Sequence, residues 1–580
     1  MKFIVSAILL CIPAFAQVRA QPRTAPRTAG VNPADIPPPT IKPEDKCALE
    51  GTVVSATTGE PLRKARVTLR SMGQPNGTAY GATTDGAGHF LIDDVDPGRY
   101  SFSASRNAYV SQSYSPQGSA KRGAPLTLSN GQKLKEIVFK LTPQGVISGR
   151  ILDEDGEPLA NVMVQCMAFG YQNGKRQLVG RNGGSTNDLG EYRFHSLSPG
   201  KYVVSATYRS PDLFMNIQGP TQASPVTEEG YATTYYPNST NPDNAQQLEI
   251  TPGAQIGSVN MTLVRVHTVR IKGRINGVAM GNRGRRNANV MLMPRDAPGF
   301  MMMPGAVARA VDPQGNFQMR GVTPGSYVLR ADFMDDNMRY SARMPLEVGS
   351  SNIEDIELSL QPPLEVHGHI TIEENGDLKG AQVNVSFQPK VSGGAMMMMG
   401  GGGMQMKDDL TFKVTNLSPD PYDINVRGMP EGFYVKSIRM GQADVTETGV
   451  DFSQGGVDEI TVILNPNGGE IDGAVQNAKG EPAIGATVTL IPEASHRSTS
   501  WLYKTADTDQ NGRFSIKGVR PGEYKIYAWE DMEQGAYMDP DYVKPHESAG
   551  EAVSVKDSAH SSVQLKAVPA ENSVNERAVR

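Results

Sequence analysis

The chain has 580 residues, of which 56 are Lys or Arg and 61 are Asp or Glu, so its formal net charge is −5. Because the two signs are mixed along the chain, the sequence excludes a basic nucleic-acid-binding stripe and an acidic solvating tail. With only three cysteines, the fold does not depend on a disulfide framework.

The N-terminal residues have the pattern of a signal peptide, which we assign to residues 1–20. Lys2 supplies the positive charge, and an apolar run follows from Phe3 to Phe15. Cys11 is disfavoured as a lipid-attachment site because Leu10 stands where a small residue is needed. The run is short for a membrane span, and no later segment reaches about 18 apolar residues. The sequence therefore predicts a secreted, periplasmic or cell-envelope protein with no membrane span in the mature chain.

A Pro-, Thr- and Arg-rich linker is predicted over residues 21–45, and a repeated unit follows it five times. In every unit an aromatic residue precedes a tyrosine by ten positions: Phe90 and Tyr100, Tyr192 and Tyr202, Phe317 and Tyr327, Phe412 and Tyr422, and Phe514 and Tyr524. We place units one to five at residues 46–142, 143–264, 265–361, 362–465 and 466–567, and a polar tail at 568–580.

Each unit starts with a strand in which apolar residues alternate around an inward-facing glycine. These glycines are Gly51, Gly149, Gly273, Gly368 and Gly473. A strand glycine of this parity indicates a bulge or a close approach by another backbone. A second alternating strand follows, after a Gly-Glu-Pro turn in units one, two and five.

Two further turns mark the second half of each unit. A D-x-x-G-x-[FY] turn, in which the aspartate caps its own backbone, precedes the third strand at Asp85, Asp312 and Asp509, with Asn187 replacing the aspartate in unit two. A Pro-Gly-x-Tyr turn starts the fourth strand, and unit four has Pro-Asp-Pro-Tyr there. At the first turn, unit four has Lys407 and Leu410 in place of the aspartate and the glycine. Short strands and no helical period predict antiparallel β-sandwiches, each large enough at about 100 residues to bury a core.

These motifs resemble the carboxypeptidase regulatory-like domain family, whose pattern is G-x-V, G-x-P-L-x-x-A-x-V, T-D-x-x-G-x-F and P-G-x-Y. Unit one matches nearly throughout, including Thr84 and Asp85 before Gly88. Units two and five also match, whereas units three and four are drifted copies. The resemblance implies prealbumin-like (transthyretin-like) sandwiches, similar in shape to carbohydrate-binding modules. We therefore expect an all-β chain of five tandem Ig-like or prealbumin-like antiparallel β-sandwich domains in an elongated array.

The sequence contains no H-E-x-x-H, C-x-x-C, Walker loop or G-x-S-x-G motif. In the zinc carboxypeptidases that the resemblance points to, the module accompanies a separate catalytic domain, and no part of this chain fits such a domain. We therefore expect that the protein is not an enzyme. The missing motifs argue most strongly against the hypothesis that the protein is a hydrolase.

Three patterns could bind a metal, although we expect no obligatory cofactor. Asp507, Asp509 and Asn511 match the start of a calcium loop, but a plain turn is the alternative because Gly518 stands where a bidentate acid is expected. Methionine-rich variable loops could hold copper(I), and a flexible apolar loop is the alternative. These methionines are Met301–Met303, Met396–Met399, Met404 and Met406. His367 and His369 share one outward strand face and fit a metal pair or a solvated surface.

Two cysteines remain after signal-peptide removal, Cys47 and Cys166. Cys166 has inward parity and is interpreted as a small core residue. A disulfide between the two stays open as an alternative, with weak support because they belong to different units.

Aromatic rings on the surface are the remaining candidate site, because sugars stack on exposed rings. Tyr527 and Trp529 have outward parity on the fourth strand of unit five, and Trp501 and Tyr503 lie in its variable loop. We predict a carbohydrate-binding platform from these four residues. The alternative is that the rings cover the sandwich or fill junctions between units.

The features above predict a non-catalytic extracytoplasmic binding or scaffold protein. Its partner would be a polysaccharide or another envelope protein. A purely structural spacer, or an accessory subunit of an envelope complex, is the alternative, because no exposed aromatic position is shared by all five units.

Overall fold

The structure, a computed structural model, describes residues 42–570 apart from thirteen gaps: 73–77, 115–122, 173, 209–228, 278–287, 296–306, 311–314, 336–337, 375, 379, 391–402, 454 and 457. The signal peptide, Cys11, most of the linker, Asp312, Met301–Met303, Met396–Met399 and the end of the tail lie outside the described residues. Within the described ranges, no helix is long and apolar enough to cross a membrane.

Units one and two consist of short strands. The strands of unit one are β1 (Cys47–Ser55), β2 (Arg66–Ser71), β3 (Ala79–Thr83), β4 (His89–Val95), β5 (Gly98–Ser105), β6 (Gln112–Ser113), β7 (Leu126–Leu128) and β8 (Lys133–Leu141). Those from unit two up to the start of unit three are β9 (Gly145–Leu152), β10 (Met163–Gln172), β11 (Lys175–Ser185), β12 (Glu191–Leu197), β13 (Gly200–Thr207), β14 (Glu229–Tyr231), β15 (Thr234–Tyr235), β16 (Leu248–Ile250), β17 (Gln255–Ile256), β18 (Met261–Thr262) and β19 (Arg265–His267).

Units three and four also consist of strands. The strands of unit three are β20 (Val269–Asn276), β21 (Asn289–Pro294), β22 (Val307–Ala310), β23 (Asn316–Val322), β24 (Gly325–Asp335), β25 (Met338–Val348) and β26 (Ile353–Ser359). Those of unit four are β27 (Leu364–Ile372), β28 (Asn384–Pro389), β29 (Gly403–Met406), β30 (Thr411–Leu417), β31 (Pro421–Arg427), β32 (Tyr434–Met440), β33 (Ala443–Asp444), β34 (Val450–Asp451) and β35 (Ile460–Asn465).

Unit five combines strands with the only α-helix of the described part of the chain. Its strands are β36 (Gly469–Gln476), β37 (Thr487–Pro492), β38 (Lys504–Asp507), β39 (Arg513–Val519), β40 (Gly522–Trp529), β41 (Glu551–Val555) and β42 (His560–Val568). The helix is α1 (Pro540–Val543), and short 3-10 helices elsewhere are Pro43–Asp45, Pro242–Asn244, Ala494–His496, Ser500–Leu502, Ala536–Met538 and Lys544–Ala549.

The units share a two-sheet topology. In unit one, one sheet has the order β4-β1-β8, and the other has β3-β2-β5-β6 with β7 also beside β5. In all five units the first strand pairs antiparallel with the strand of the D-x-x-G-x-[FY] position and parallel with a strand near the end of the unit. The all-β sandwich class is confirmed, with one difference: each unit contains a parallel pair that alternation could not reveal, because side-chain parity carries no strand direction.

The inward glycine of each first strand is required by this parallel neighbour. A Cβ on Gly51 would lie 2.1 Å from the carbonyl oxygen of Ile137, and a Cβ on Gly149 would lie 2.0 Å from that of Val259. The same contact is 2.4 Å at Gly273, 2.3 Å at Gly368 and 2.1 Å at Gly473. The close backbone approach predicted from the sequence is therefore confirmed in every unit.

The repeated tyrosine closes the turn before the fourth strand. Its hydroxyl donates a hydrogen bond to the carbonyl oxygen four residues earlier in all five units, at 2.7–2.9 Å between oxygens. The ring itself is buried, so one residue both fills the core and holds the turn. Buried apolar side chains form five main clusters, one for each unit.

Units four and five depart from the shared topology. In unit four, β29 pairs with β30, whereas the corresponding strand of the other units pairs with the second strand. In unit five, the two sheets are joined because Ala528 pairs with Ala567 and Trp529 pairs with Val568. One continuous sheet then runs in the order β38-β37-β40-β42-β36-β39.

The arrangement of the units differs from an array in which each unit meets only its neighbours. Unit five contacts unit one, where the side chain of Gln510 bonds the backbone of Thr127 in both directions. It also contacts unit two, where Tyr171 packs edge-on against Tyr542 at 5.9 Å between ring centroids. The contact with unit two comes from a segment inserted in unit five after Trp529, described below, whereas Gln510 lies in the turn before β39.

Candidate functional site: the aromatic face of unit five

The predicted aromatic residues of unit five lie on its outer sheet face. Thr489 and Tyr527 are paired across β37 and β40, as are Thr487 and Trp529, whose side chains point away from the sandwich core. The predicted parity is therefore right. The predicted exposure is wrong, because Tyr527 and Trp529 are each only 1% exposed and Tyr503 is 8% exposed.

These rings are covered by the chain that follows β40. Residues 530–550, which we call the covering segment, contain α1 and two 3-10 helices and place Met532, Ala536 and Val543 against the rings. Asp539 caps α1 by accepting a hydrogen bond from the backbone N–H of Asp541. The sequence does show isolated apolar side chains within a stretch rich in Asp, Glu and Gly. Their spacing follows neither strand alternation nor a long helical repeat, so it did not indicate a buried segment.

The covered rings form an ordered aromatic cluster. Trp529 stacks on Tyr527 with centroids 5.6 Å apart and planes at 21°, and it meets the edge of His546 at 5.3 Å. Its indole N–H donates to Thr489 Oγ1 at 3.0 Å. Tyr542 lies 5.5 Å from Trp529 and continues the cluster to Tyr171 of unit two. The cluster therefore joins two units by burying aromatic faces.

Trp501 occupies a different place from the other three predicted residues. It is partly buried at the junction with unit four, where it packs against that unit's core cluster. The guanidinium of Arg520 lies 5.9 Å from its ring centroid, within cation–π range. The structure thus brings Tyr503, Tyr527 and Trp529 together and separates Trp501 from them.

A carboxylate of unit four organises this junction. Glu447 binds His496 Nδ1 at 2.6 Å and Arg520 at 3.2 Å. These two side chains of unit five therefore share one carboxylate of unit four. A second polar contact joins the Tyr434 hydroxyl to Asp557 at 2.8 Å. Partial burial makes such contacts stronger than exposed ion pairs. The two units are therefore fixed by polar as well as apolar contacts.

A cavity of about 140 Å³ lies between units four and five. Its lining is mainly apolar and includes Ile424, Val426, Ile438 and Leu502. Trp501, Arg520 and Lys504 also line it, and Lys504 is at a core-facing position opposite Leu490. No carboxylate pairs with Lys504 in the part of the chain that the structure describes.

Burial lowers the pKa of Lys504 below its ordinary value of 10.5. The unfolded chain then binds more protons than the folded chain in the alkaline range below pH 10.5, so we expect the free energy of unfolding of unit five to rise with pH there. Lys504→Met should remove this slope and stabilise the unit at neutral pH by about 1 kcal/mol, the scale of an uncompensated polar group.

Urea unfolding at pH 7, 8 and 9 measures this effect. Both tryptophans of the chain lie in unit five, so tryptophan fluorescence follows that unit. Burial raises the pKa values of Tyr434 and Tyr524, which also line the cavity, so their opposite effect follows the ionisation of unfolded tyrosine near about pH 10 and is small at the pH values used. Lys525→Met, which removes a partly exposed lysine paired with Glu547, is the control that should keep the slope. Equal slopes in the two variants would contradict the assignment to Lys504.

The residues predicted for calcium form the turn that was the alternative. One oxygen of Asp509 accepts from the backbone N–H groups of Asn511 at 2.8 Å and Arg513 at 2.9 Å. Asp507 instead accepts from the hydroxyl of Thr487 at 3.0 Å. Among the residues between 42 and 570 that are described, no group of three His, Cys, Asp or Glu side chains is placed to hold a metal. Calcium binding stays a prediction.

The other metal and cysteine candidates have separate partners. His367 binds Glu365 at 2.8 Å and His369 binds Glu459 at 3.0 Å, so each imidazole has its own carboxylate. Met404 accepts a contact from the backbone N–H of Val385 at 3.1 Å. Cys47 and Cys166 are free and buried, and burial raises the pKa of Cys166 to about 12. Both behave as core residues, and no disulfide joins them.

The fold and this site define a protein of linked β-sandwiches whose aromatic residues join its own units. Residues 48–142 and 470–536 match the family model of the carboxypeptidase regulatory-like domain. The second match ends inside the covering segment, so most of that segment lies beyond the shared pattern. A comparison with curated proteins gives no match.

Several solved protein structures are similar to this chain. The Bacillus anthracis TIE protein has 15% identity and a TM-score of 0.16, covering 55% of this chain and 51% of that one. The chain thus spans about half the length of that protein. The minor pilin GBS52 of Streptococcus agalactiae has 12% identity and a TM-score of 0.22, covering 38% and 96%. The major pilin subunit BcpA of Bacillus cereus has 12% identity and a TM-score of 0.13, covering 55% and 100%. At such low scores, function must be argued from this chain's own residues.

Proposed function

We propose that this protein is a non-catalytic, extracytoplasmic scaffold that holds its β-sandwiches in a joined arrangement and presents their outer faces to an envelope partner. The observation that supports this most directly is the use of the aromatic face of unit five. The largest fully buried rings of that unit, Tyr527 and Trp529, lie against the covering segment, and their cluster extends to Tyr171 of unit two, so the cluster holds the units together. The N-terminal signal pattern supports an extracytoplasmic location.

A joined arrangement requires contacts between units that are distant in sequence. Unit five supplies such contacts to units one and two through Gln510 and Tyr542, and Trp501 adds a contact to the adjacent unit four. A flexible string of modules would not need these contacts. Relative motion of domains is the default where an interface is small and polar, so an apolar aromatic contact indicates that the relative position of units two and five matters.

The experiment is small-angle scattering of the mature full chain and of the double variant Tyr171→Ser with Arg181→Glu. Tyr171 meets the ring of Tyr542, and Arg181 lies 3.9 Å from Glu533, so both changes act at the contact of units two and five. We expect the radius of gyration to increase while the circular dichroism spectrum stays unchanged. The control is Arg193→Glu, an exposed arginine of the same unit outside this contact. An unchanged radius of gyration in the double variant would overturn the proposed joined arrangement.

The finer proposal concerns the partner, which we take to be a polysaccharide or another envelope protein. Three of the four rings predicted for sugar stacking, Tyr503, Tyr527 and Trp529, are buried within the protein itself, so we propose that a polysaccharide would contact another face of the chain. A glycan array probed with the intact mature chain tests this. Retention of a polysaccharide by both the unmodified chain and Tyr503→Ser would place sugar binding away from the aromatic face, and retention lost only in the variant would restore the original prediction.

A further inference from the structure

We propose that the cavity between units four and five is a binding site for a small organic monocarboxylate with an apolar, aromatic-sized body. This goes beyond the scaffold role, because a joined arrangement of sandwiches does not need a ligand. The proposal depends on the volume of the cavity, the polarity of its lining and one uncompensated positive charge.

The size of the cavity fits a single ring. Its volume of about 140 Å³ is close to that of an engineered protein cavity of about 150 Å³ that binds benzene. The walls that would contact the ring are aliphatic side chains of unit four, Ile424, Val426 and Ile438, with Leu502 from unit five. Such a lining favours an apolar body over a sugar, which would leave its hydroxyl groups without partners.

The charge of the cavity selects an anion with one negative charge. Two cationic side chains line it, but Arg520 is already paired with Glu447 at 3.2 Å. Lys504 remains, and no acidic side chain in the described ranges compensates it. A carboxylate beside Lys504 would supply the missing partner for a partly buried ammonium group, which is costly when alone.

The two tyrosine hydroxyl groups that line the cavity already have hydrogen-bond partners. The hydroxyl of Tyr434 donates to Asp557 at 2.8 Å, and the hydroxyl of Tyr524 donates to the carbonyl oxygen of Arg520 at 2.8 Å. Both hydroxyl groups therefore already have hydrogen-bond acceptors and do not need a ligand to provide one. A dianion such as phosphate would find only one cation, Lys504, without an acidic partner among the described residues. The charge balance thus favours a carboxylate over phosphate.

The position of the site couples a ligand to the junction of two units. Its walls come from β31 and β32 of unit four and from β38 and the Trp501 loop of unit five. A ligand that fills the cavity would contact both units at once, and binding to the folded chain alone would stabilise this junction.

The test uses the mature full chain with benzoate, benzyl alcohol and inorganic phosphate as probes in isothermal titration. We expect one benzoate per chain, with benzyl alcohol and phosphate each bound at least ten-fold more weakly. Lys504→Met should weaken benzoate at least ten-fold and leave benzyl alcohol unchanged, whereas Lys525→Met, outside the cavity, should change neither. Benzoate should also alter the fluorescence of Trp501, which lines the cavity.

A second variant keeps the test decisive if Lys504→Met folds poorly. Val426→Phe places a ring in the cavity and should abolish binding of both benzoate and benzyl alcohol. No saturable benzoate binding to the unmodified chain, equal benzoate affinity in Lys504→Met, or undiminished binding in Val426→Phe would each overturn the proposal. Stronger binding of phosphate than of benzoate would overturn the choice of a carboxylate. The scattering experiment on units two and five is independent of all these outcomes.

Discussion

Replacing Gly473 with alanine should unfold unit five selectively, with a loss of about 3 kcal/mol or more, the upper range for overpacking a core. The added Cβ would lie 2.1 Å from the carbonyl oxygen of Val563 and 3.0 Å from the ring of Phe514. A ring can shift by a few tenths of an ångström, but the carbonyl belongs to the parallel partner strand β42. Relief therefore requires β36 and β42 to separate, which breaks hydrogen bonds that hold the sheet.

Urea unfolding followed by tryptophan fluorescence measures this loss, because both tryptophans report on unit five. Gly480→Asn is the matched control: Gly480 has φ +80 in a turn with no atom near its Cβ position, and asparagine tolerates that conformation. We expect its midpoint to change little. Gly149→Ala, which creates the equivalent clash in unit two, should leave the tryptophan transition largely in place. A Gly473→Ala midpoint equal to that of the Gly480→Asn control would refute the close-approach explanation.

Trp529→Ala should destabilise unit five by about 3–5 kcal/mol, the usual cost of removing a buried large aromatic side chain. The indole is stacked on Tyr527, touches Tyr542 and His546, and donates to Thr489, whose hydroxyl would lose its partner. The cavity left behind would lie between β40 and the covering segment. We therefore also expect proteases to cut residues 530–550 faster in this variant.

The comparison with Trp501→Ala makes this prediction discriminating. Trp501 is only partly buried at the junction of units four and five, so its removal should cost about 1 kcal/mol or less in unit five. Each variant keeps one tryptophan, so fluorescence follows unfolding in both. If the ring of Trp529 were an exposed sugar platform, its removal would hardly change stability. A small and equal effect of the two substitutions would favour the exposed platform over the covered cluster.

The features that the sequence predicts well are those encoded within one unit. The inward parity of Gly473, the turn cap of Asp509 and the tyrosine at position 524 each follow from local spacing, and each has the expected local role. The parity of Trp529 is also local and was predicted correctly. What covers Trp529 was not predicted, because burial of an outward face depends on a segment whose apolar residues follow neither a strand nor a helix period.

Contacts between units could not be predicted from the sequence, for a related reason. The contacts of Tyr171 with Tyr542 and of Thr127 with Gln510 join residues that are hundreds of positions apart. No spacing rule connects such positions, since each satisfies its own unit's alternation. Lys504 shows the same limit at the candidate cavity, because whether an acidic side chain lies beside it depends on how units four and five meet.

The parallel pairing of β1 with β8, repeated in every unit, has a mechanical consequence. When the two ends of a unit are pulled apart, parallel terminal strands slide past each other lengthwise. From Ala48 beside Lys133 to Ser55 beside Leu141, the whole ladder then bears the tension together. A hairpin pulled from its open end would instead unzip one bond at a time. Each sandwich is thus built to resist stretching along the chain, and rupture under load depends on its unfolding rate.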